Sequence, residues 1–145
     1  MQHIIWYIIS TLLGCAAGLA TLYLVPNQME IYIWIELVLI HGFLGGLRAV
    51  PFAQTFIQAA WTGIWITMIH LTFVDAYLAS HQSELAFLDT IKVMDSYVLT
   101  FVMIAPIYWV VLGSLAGGLA LLAKRPRENR LPDLMAEATS HPDKS

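Results

Sequence analysis

The chain has 145 residues, of which 59% are hydrophobic and only 12% charged, and its mean hydropathy is +0.70; a soluble domain of this length cannot bury so much apolar surface, so lipid must take up the rest. A net charge of −3, with basic residues grouped near helix ends and forming no groove-sized patch, excludes a nucleic-acid partner. The single cysteine, Cys15, excludes an intrachain disulfide and any CxxC metal or redox motif.

The expected fold is all-α, a polytopic membrane protein with four transmembrane helices. A span needs roughly 20 mostly apolar residues to cross a hydrocarbon core of about 30 Å, and the polar breaks leave four such runs, at about residues 4–25, 31–47, 52–78 and 97–123. The first run has no Lys or Arg before it and is longer than a signal-peptide core, so it is expected to be a retained helix. Gly14 and Gly18 stand four apart on it, as Gly113 and Gly117 do on the last run; such small-residue faces let helix backbones approach closely, within one bundle or in a homo-oligomer.

Orientation follows from Lys and Arg, which stay with the cytoplasmic loops. Arg48 lies between the second and third runs, and Lys124, Arg125, Arg127 and Arg130 follow the fourth, whereas Glu30, Glu84, Asp89 and Asp95 fall on the opposite side with Lys92 as the only base. Both termini are therefore expected inside, an N-in, C-in multi-pass arrangement in a bacterial-type cell inner (plasma) membrane. Between the third and fourth runs, Phe87, Leu88, Ile91 and Met94 recur at helical spacing, which predicts a short amphipathic helix on the outer surface over residues 83–95. Residues 1–125 form the membrane domain on this view. The polar, proline-containing stretch 126–145 has no apolar period and reads as a flexible cytoplasmic tail.

Four side chains cost free energy inside the spans: Glu36 and His41 in the second, His70 and Asp75 in the third. A charged group at the bilayer centre costs about 2.5 to 3.5 kcal/mol even on insertion-based scales, so such groups normally face the protein interior. At about 1.5 Å of rise per residue, Asp75, Glu36, His70 and His41 are expected at depths of about 5, 9, 12 and 16 Å from the outer ends. The pairs within each helix are five residues apart, a turn of about 140°, so a shared site must be built between helices, with Glu36 facing His70 as the best match in depth.

Staggered carboxylates and imidazoles suit proton or cation translocation through a Glu36, His41, His70 and Asp75 seam, because histidine changes charge near neutral pH and acidic loops concentrate cations. His41 and His70 would equally serve as axial ligands of a b-type haem, or join a carboxylate on a divalent metal. A third class is a non-catalytic accessory or assembly subunit of a larger membrane complex, in which the same residues only lock helices together. No paired catalytic motif of recognised spacing points to an enzyme. Partners follow from these alternatives: membrane lipid, and a second copy of the chain or a larger membrane complex.

Overall fold

A computed structural model describes the backbone of residues 2–140, with side chains described for residues 4–124 except 27. All named regular structure among the described residues is helical: α1 (Gln2–Tyr23), a single 3-10 turn (Asn27–Met29), α2 (Glu30–Leu47), α3 (Phe52–Thr72), α4 (Val74–Ser80), α5 (Gln82–Ile91) and α6 (Tyr97–Ser140). Three segments are each long and apolar enough to cross a membrane, Ile4–Tyr23, Glu30–Leu47 and Tyr97–Lys124, and α3 with α4 makes a fourth if that bent pair counts as one span.

Prolines mark two of the breaks. Pro26 supplies no amide donor, and its carbonyl accepts from the Met29 amide at 2.8 Å, closing the turn that leads into α2. Pro51 stands at the start of α3 with φ −60°, the value its ring imposes. The reversal before it places Ala49 at φ 53°, the left-handed region that side chains with a Cβ rarely occupy.

The third apolar run does not stay straight. α3 ends at Thr72, and α4 departs from it at 91°, so the expectation of one continuous helix over 52–78 is corrected. The carboxyl end of that run folds across the end of the bundle instead of extending it. The short helix expected over 83–95 is present as α5, Gln82–Ile91; it stops before a tight turn in which Met94 and Asp95 both have positive φ, 49° and 55°. At the opposite end of the chain, the backbone of α6 is helical through Ser140, where composition suggests an irregular tail. Leu134, Met135, Ala136 and Glu137 are strong helix formers; residues 141–145 lie outside the described residues.

Packing order departs from the order of the chain. α6 lies along both α2 and α3, and α1 lies along α3, while α2 makes much less contact with α3 and little with α1. The glycines decide which backbones come closest. A Cβ on Gly14 would stand 2.6 Å from the Thr62 carbonyl oxygen, and one on Gly18 would meet Ile69 at 2.9 Å, so both let α1 lie close on α3. Gly113 and Gly117 do the same for α6 against Phe56 and Phe52 of α3, and Gly42 and Gly46 for α2 against α6, while Gly45 fits between Thr55 of α3 and Ala120 of α6. In lipid, where association rests on contact more than on hydrophobic drive, such close approaches matter. The central apolar layer is Ala17, Leu37, Ala59, Ile66, Leu112 and Ala116, all buried. At the end where α2 stops, the Arg48 guanidinium lies 3.7 Å from the centroid of the Trp6 ring, tying that end to the start of α1.

Candidate functional site

Among the described residues, Glu30 is the buried carboxylate, 8% exposed. It is the first residue of α2, and its side chain is held by three rings. The Trp34 indole N–H, one turn along the same helix, donates to Oε1 at 3.2 Å; the Tyr77 hydroxyl donates to Oε2 at 3.1 Å; and Nε2 of His81 stands 3.3 Å from the same Oε2. His81 is completely buried, and its Nε2 has no aligned hydrogen bond, so its contact with Glu30 is a close electrostatic approach without hydrogen-bond geometry.

The bend after Phe73 makes this arrangement. It lays α4 across the bundle, so that the Tyr77 ring is sandwiched between two imidazoles, 4.1 Å from His70 and 4.0 Å from His81, at interplanar angles of 26° and 15°. His70 meets Oγ1 of Thr21 through Nε2 at 2.7 Å. The Thr21 hydroxyl donates to the Gly18 carbonyl at 3.0 Å, so the hydrogen between Thr21 and His70 belongs to the imidazole, which leaves Nδ1 as the accepting nitrogen of His70.

A second polar cluster lies deeper. His41 Nδ1 is 2.9 Å from the Leu37 carbonyl oxygen; a carbonyl only accepts, so Nδ1 carries the hydrogen and Nε2 accepts from Thr62 at 3.0 Å, with the Ser10 hydroxyl at 3.5 Å. The two clusters do not touch. Ala17 separates Ser10 from Thr21 on α1, Leu37 separates Glu30 from His41 on α2, and Ile66 separates Thr62 from His70 on α3, all three within the buried apolar layer.

The cluster around Glu30 opens on a cavity of about 250 Å³ bordered by α2, α3, α4, α5 and α6. Glu30, Thr67, His70, Tyr77 and Glu84 are in its polar lining, and Trp34, Phe87, Phe101 and Tyr108 are among its aromatic walls. Among the described residues no Lys or Arg lines it. The cluster around His41 borders a narrow groove between α1 and α2, where Ser10, His41, Gln58 and Arg48 are found.

Of the four residues picked out in the sequence, two are inside and two are not. His41 and His70 are buried, whereas Glu36 and Asp75 are exposed on the outside of the bundle. The expected Glu36–His70 pair is therefore corrected: Leu37, the next residue, takes the interior position, and the 100° step per residue turns Glu36 away. The two histidines are not brought together either. His41 bonds to Thr62, and His70 lies eight residues further along α3, about 12 Å in axial rise, too far for two ligands of one iron. Among the described residues no three His, Cys, Asp or Glu side chains converge as a metal site.

The sequence placed Glu30 only among the acidic residues of the outer loops and did not single out His81, because Glu30 follows a Pro-Asn turn and His81 precedes a polar loop. A usable signal was present: Glu30 with Trp34, and Tyr77 with His81, are four apart, the spacing that puts both members on one helix face. Comparison of the chain with protein-family models, curated proteins and solved structures finds no match.

Proposed function

We propose that the protein is a small transporter that takes up a cation or a proton at Glu30 and passes it through the membrane. The single observation that carries this is a buried carboxylate, held by Trp34, Tyr77 and His81, at the wall of a cavity lined by a second carboxylate and, among the described residues, by no cationic side chain. Such a site attracts cations and repels anions. Burial in the membrane is costly for a carboxylate and marks a pathway or binding residue.

In this proposal α1, α2, α3 and α6 are the four spans of an inner-membrane protein, with α4 folded over the outer end of α3. The N-terminus and the basic segment from Lys124 are cytoplasmic, and α5 lies on the outer surface. The cavity faces outward, and Glu84 stands at its rim. The apolar layer at Ala17, Leu37 and Ile66 interrupts the polar residues, so passage requires a rearrangement between outer and inner clusters and is not continuous conduction. Glu30, Tyr77, His81, His70 and Thr21 are the polar groups on the outer side of that layer, and His41, Thr62 and Ser10 those on its inner side.

Cation or proton uptake into vesicles containing the purified protein tests this. Flux that depends on the protein and is lost in Glu30→Gln is expected. Flux unchanged in that variant removes Glu30 from the pathway and with it this function.

A second function, an accessory or assembly subunit of a larger membrane complex, is favoured by the inner cluster alone, since the ring nitrogens of His41 are all used within the bundle. It predicts a partner that co-purifies in mild detergent in fixed ratio, and no flux from the isolated chain.

A further inference from the structure

We infer that the cavity bordered by α2, α3, α4, α5 and α6 is a binding site for a compact organic cation, an ammonium group carrying short apolar substituents. This rests on the cation reading of Glu30 and names the kind of cation. Three features of the cavity select it. Charge comes first: Glu30 and Glu84 are both in the lining, which among the described residues has no Lys or Arg to offset them, so an anion is excluded and a neutral ligand leaves the carboxylates unused.

Wall chemistry comes second. Trp34, Phe87, Phe101 and Tyr108 bring aromatic rings from three different helices to one space, and Trp34 and Tyr108 stand 6.1 Å apart, centroid to centroid. Aromatic faces attract weakly hydrated alkylammonium ions through the ring quadrupole, and clusters of them are the usual receptor for quaternary ammonium. A hard inorganic cation is poorly matched. It would require about six oxygen ligands, and among the described residues no triad of ligating side chains is present.

Size is the third. At about 250 Å³ the cavity lies just under the range of about 300–1,000 Å³ typical of drug-sized ligands, which fits a cation with a few short alkyl arms. In the bound state the charged nitrogen lies against Glu30, whose Oε1 and Oε2 are already oriented by Trp34 and Tyr77, and the substituents lie against Phe101 and Tyr108.

The test is calorimetric titration of the full-length protein in detergent with tetraethylammonium chloride, with sodium chloride as the control. Saturable binding of tetraethylammonium alone is expected. Glu30→Gln weakens it tenfold or more, and Phe101→Leu, which keeps the apolar bulk and removes the ring, weakens it roughly two- to thirtyfold. Helical circular dichroism of each variant establishes that it is folded; should Glu30→Gln fail to fold, Glu84→Gln and Phe101→Leu carry the measurement. Absence of saturable binding, or affinities unchanged in the folded variants, overturns the inference. Flux in vesicles separates it from the function it rests on: Glu30-dependent flux that tetraethylammonium neither binds nor inhibits leaves the transporter and removes this ligand class, whereas Glu30-dependent binding without flux leaves the site and removes transport.

Discussion

His81 and Glu30 face each other at 3.3 Å inside the protein, one completely buried and the other nearly so. Nδ1 of His81 is 3.0 Å from the Tyr77 carbonyl oxygen and 2.8 Å from the Ser80 hydroxyl. The Nδ1 side of the ring is thus tied to α4 itself, and Nε2 is the nitrogen turned toward Glu30. The Tyr77 hydroxyl donates to the same Oε2 at 3.1 Å, and Glu30 and Tyr77 together reach the cavity wall. This relationship joins the start of α2 to the end of α4, and it exists only because the chain turns through 91° after α3.

The clearest prediction separates two glutamates on the same helix. Glu30→Gln abolishes cation or proton flux in reconstituted vesicles, and Glu36→Gln leaves flux and stability within experimental error, because Glu36 is exposed on the outer face of α2. Loss of flux in Glu36→Gln would place that residue in the pathway after all, at an interface between copies.

Tyr77 has two separable roles, a hydrogen bond to Glu30 and a ring held between His70 and His81. Tyr77→Phe keeps the stack and loses only the bond, at a cost of about 1 kcal/mol. Tyr77→Ala also empties a buried aromatic position, and costs about 3–5 kcal/mol. Unfolding of the detergent-solubilised protein by titrated denaturing detergent measures both; equal effects would mean that the stack contributes nothing to holding α4 across the bundle.

Two glycine substitutions should behave oppositely. Gly14→Val places a side chain against the backbone oxygen of Thr62 and the Trp65 side chain, where nothing flexible can yield, so α1 must move off α3 at a cost of about 1–3 kcal/mol. Gly118 has nothing within 4 Å of the position a Cβ would take. Gly118→Ala is therefore neutral or stabilising by up to about 1 kcal/mol through helix propensity. The same unfolding titration decides, and a tolerated Gly14→Val would show that the close approach of α1 to α3 is not needed.

An absorption spectrum bears on the histidines. With His41 bound to Thr62 and Leu37, and His70 to Thr21, the two are separated along the bundle by about 12 Å, and the purified protein is expected to show no Soret band. A haem band that disappears in both His41→Ala and His70→Ala would require a different packing of α2 on α3.

Individual residues show what could be read from the chain. His41 and His70 were legible as interior groups, because a histidine in an apolar run of this length must find a partner inside. Glu36 was misplaced for a physical reason: α2 is apolar around its whole circumference, and a helix with no polar stripe gives no indication of which side faces inward. Neighbouring Leu37 and exposed Glu36 differ only by one step around that helix. The break at Phe73 was hidden in the same way, since the stretch from Leu71 to Leu78 stays apolar on average despite Asp75 and no proline or glycine marks the bend. Tyr77 was legible only as a ring near a helix end, although its spacing to His81 was a clue.

Composition and run length alone determined that this chain is helical and that several of its helices can cross a membrane, because the size of its apolar surface and the length of each run depend on no contact. Tertiary structure alone decided which carboxylate is buried, which rings surround it, and that α6, not α3, is the principal neighbour of α2. Those outcomes depend on the rotation of each helix about its axis, fixed where glycines let backbones meet and where α4 crosses the bundle end to close on Glu30.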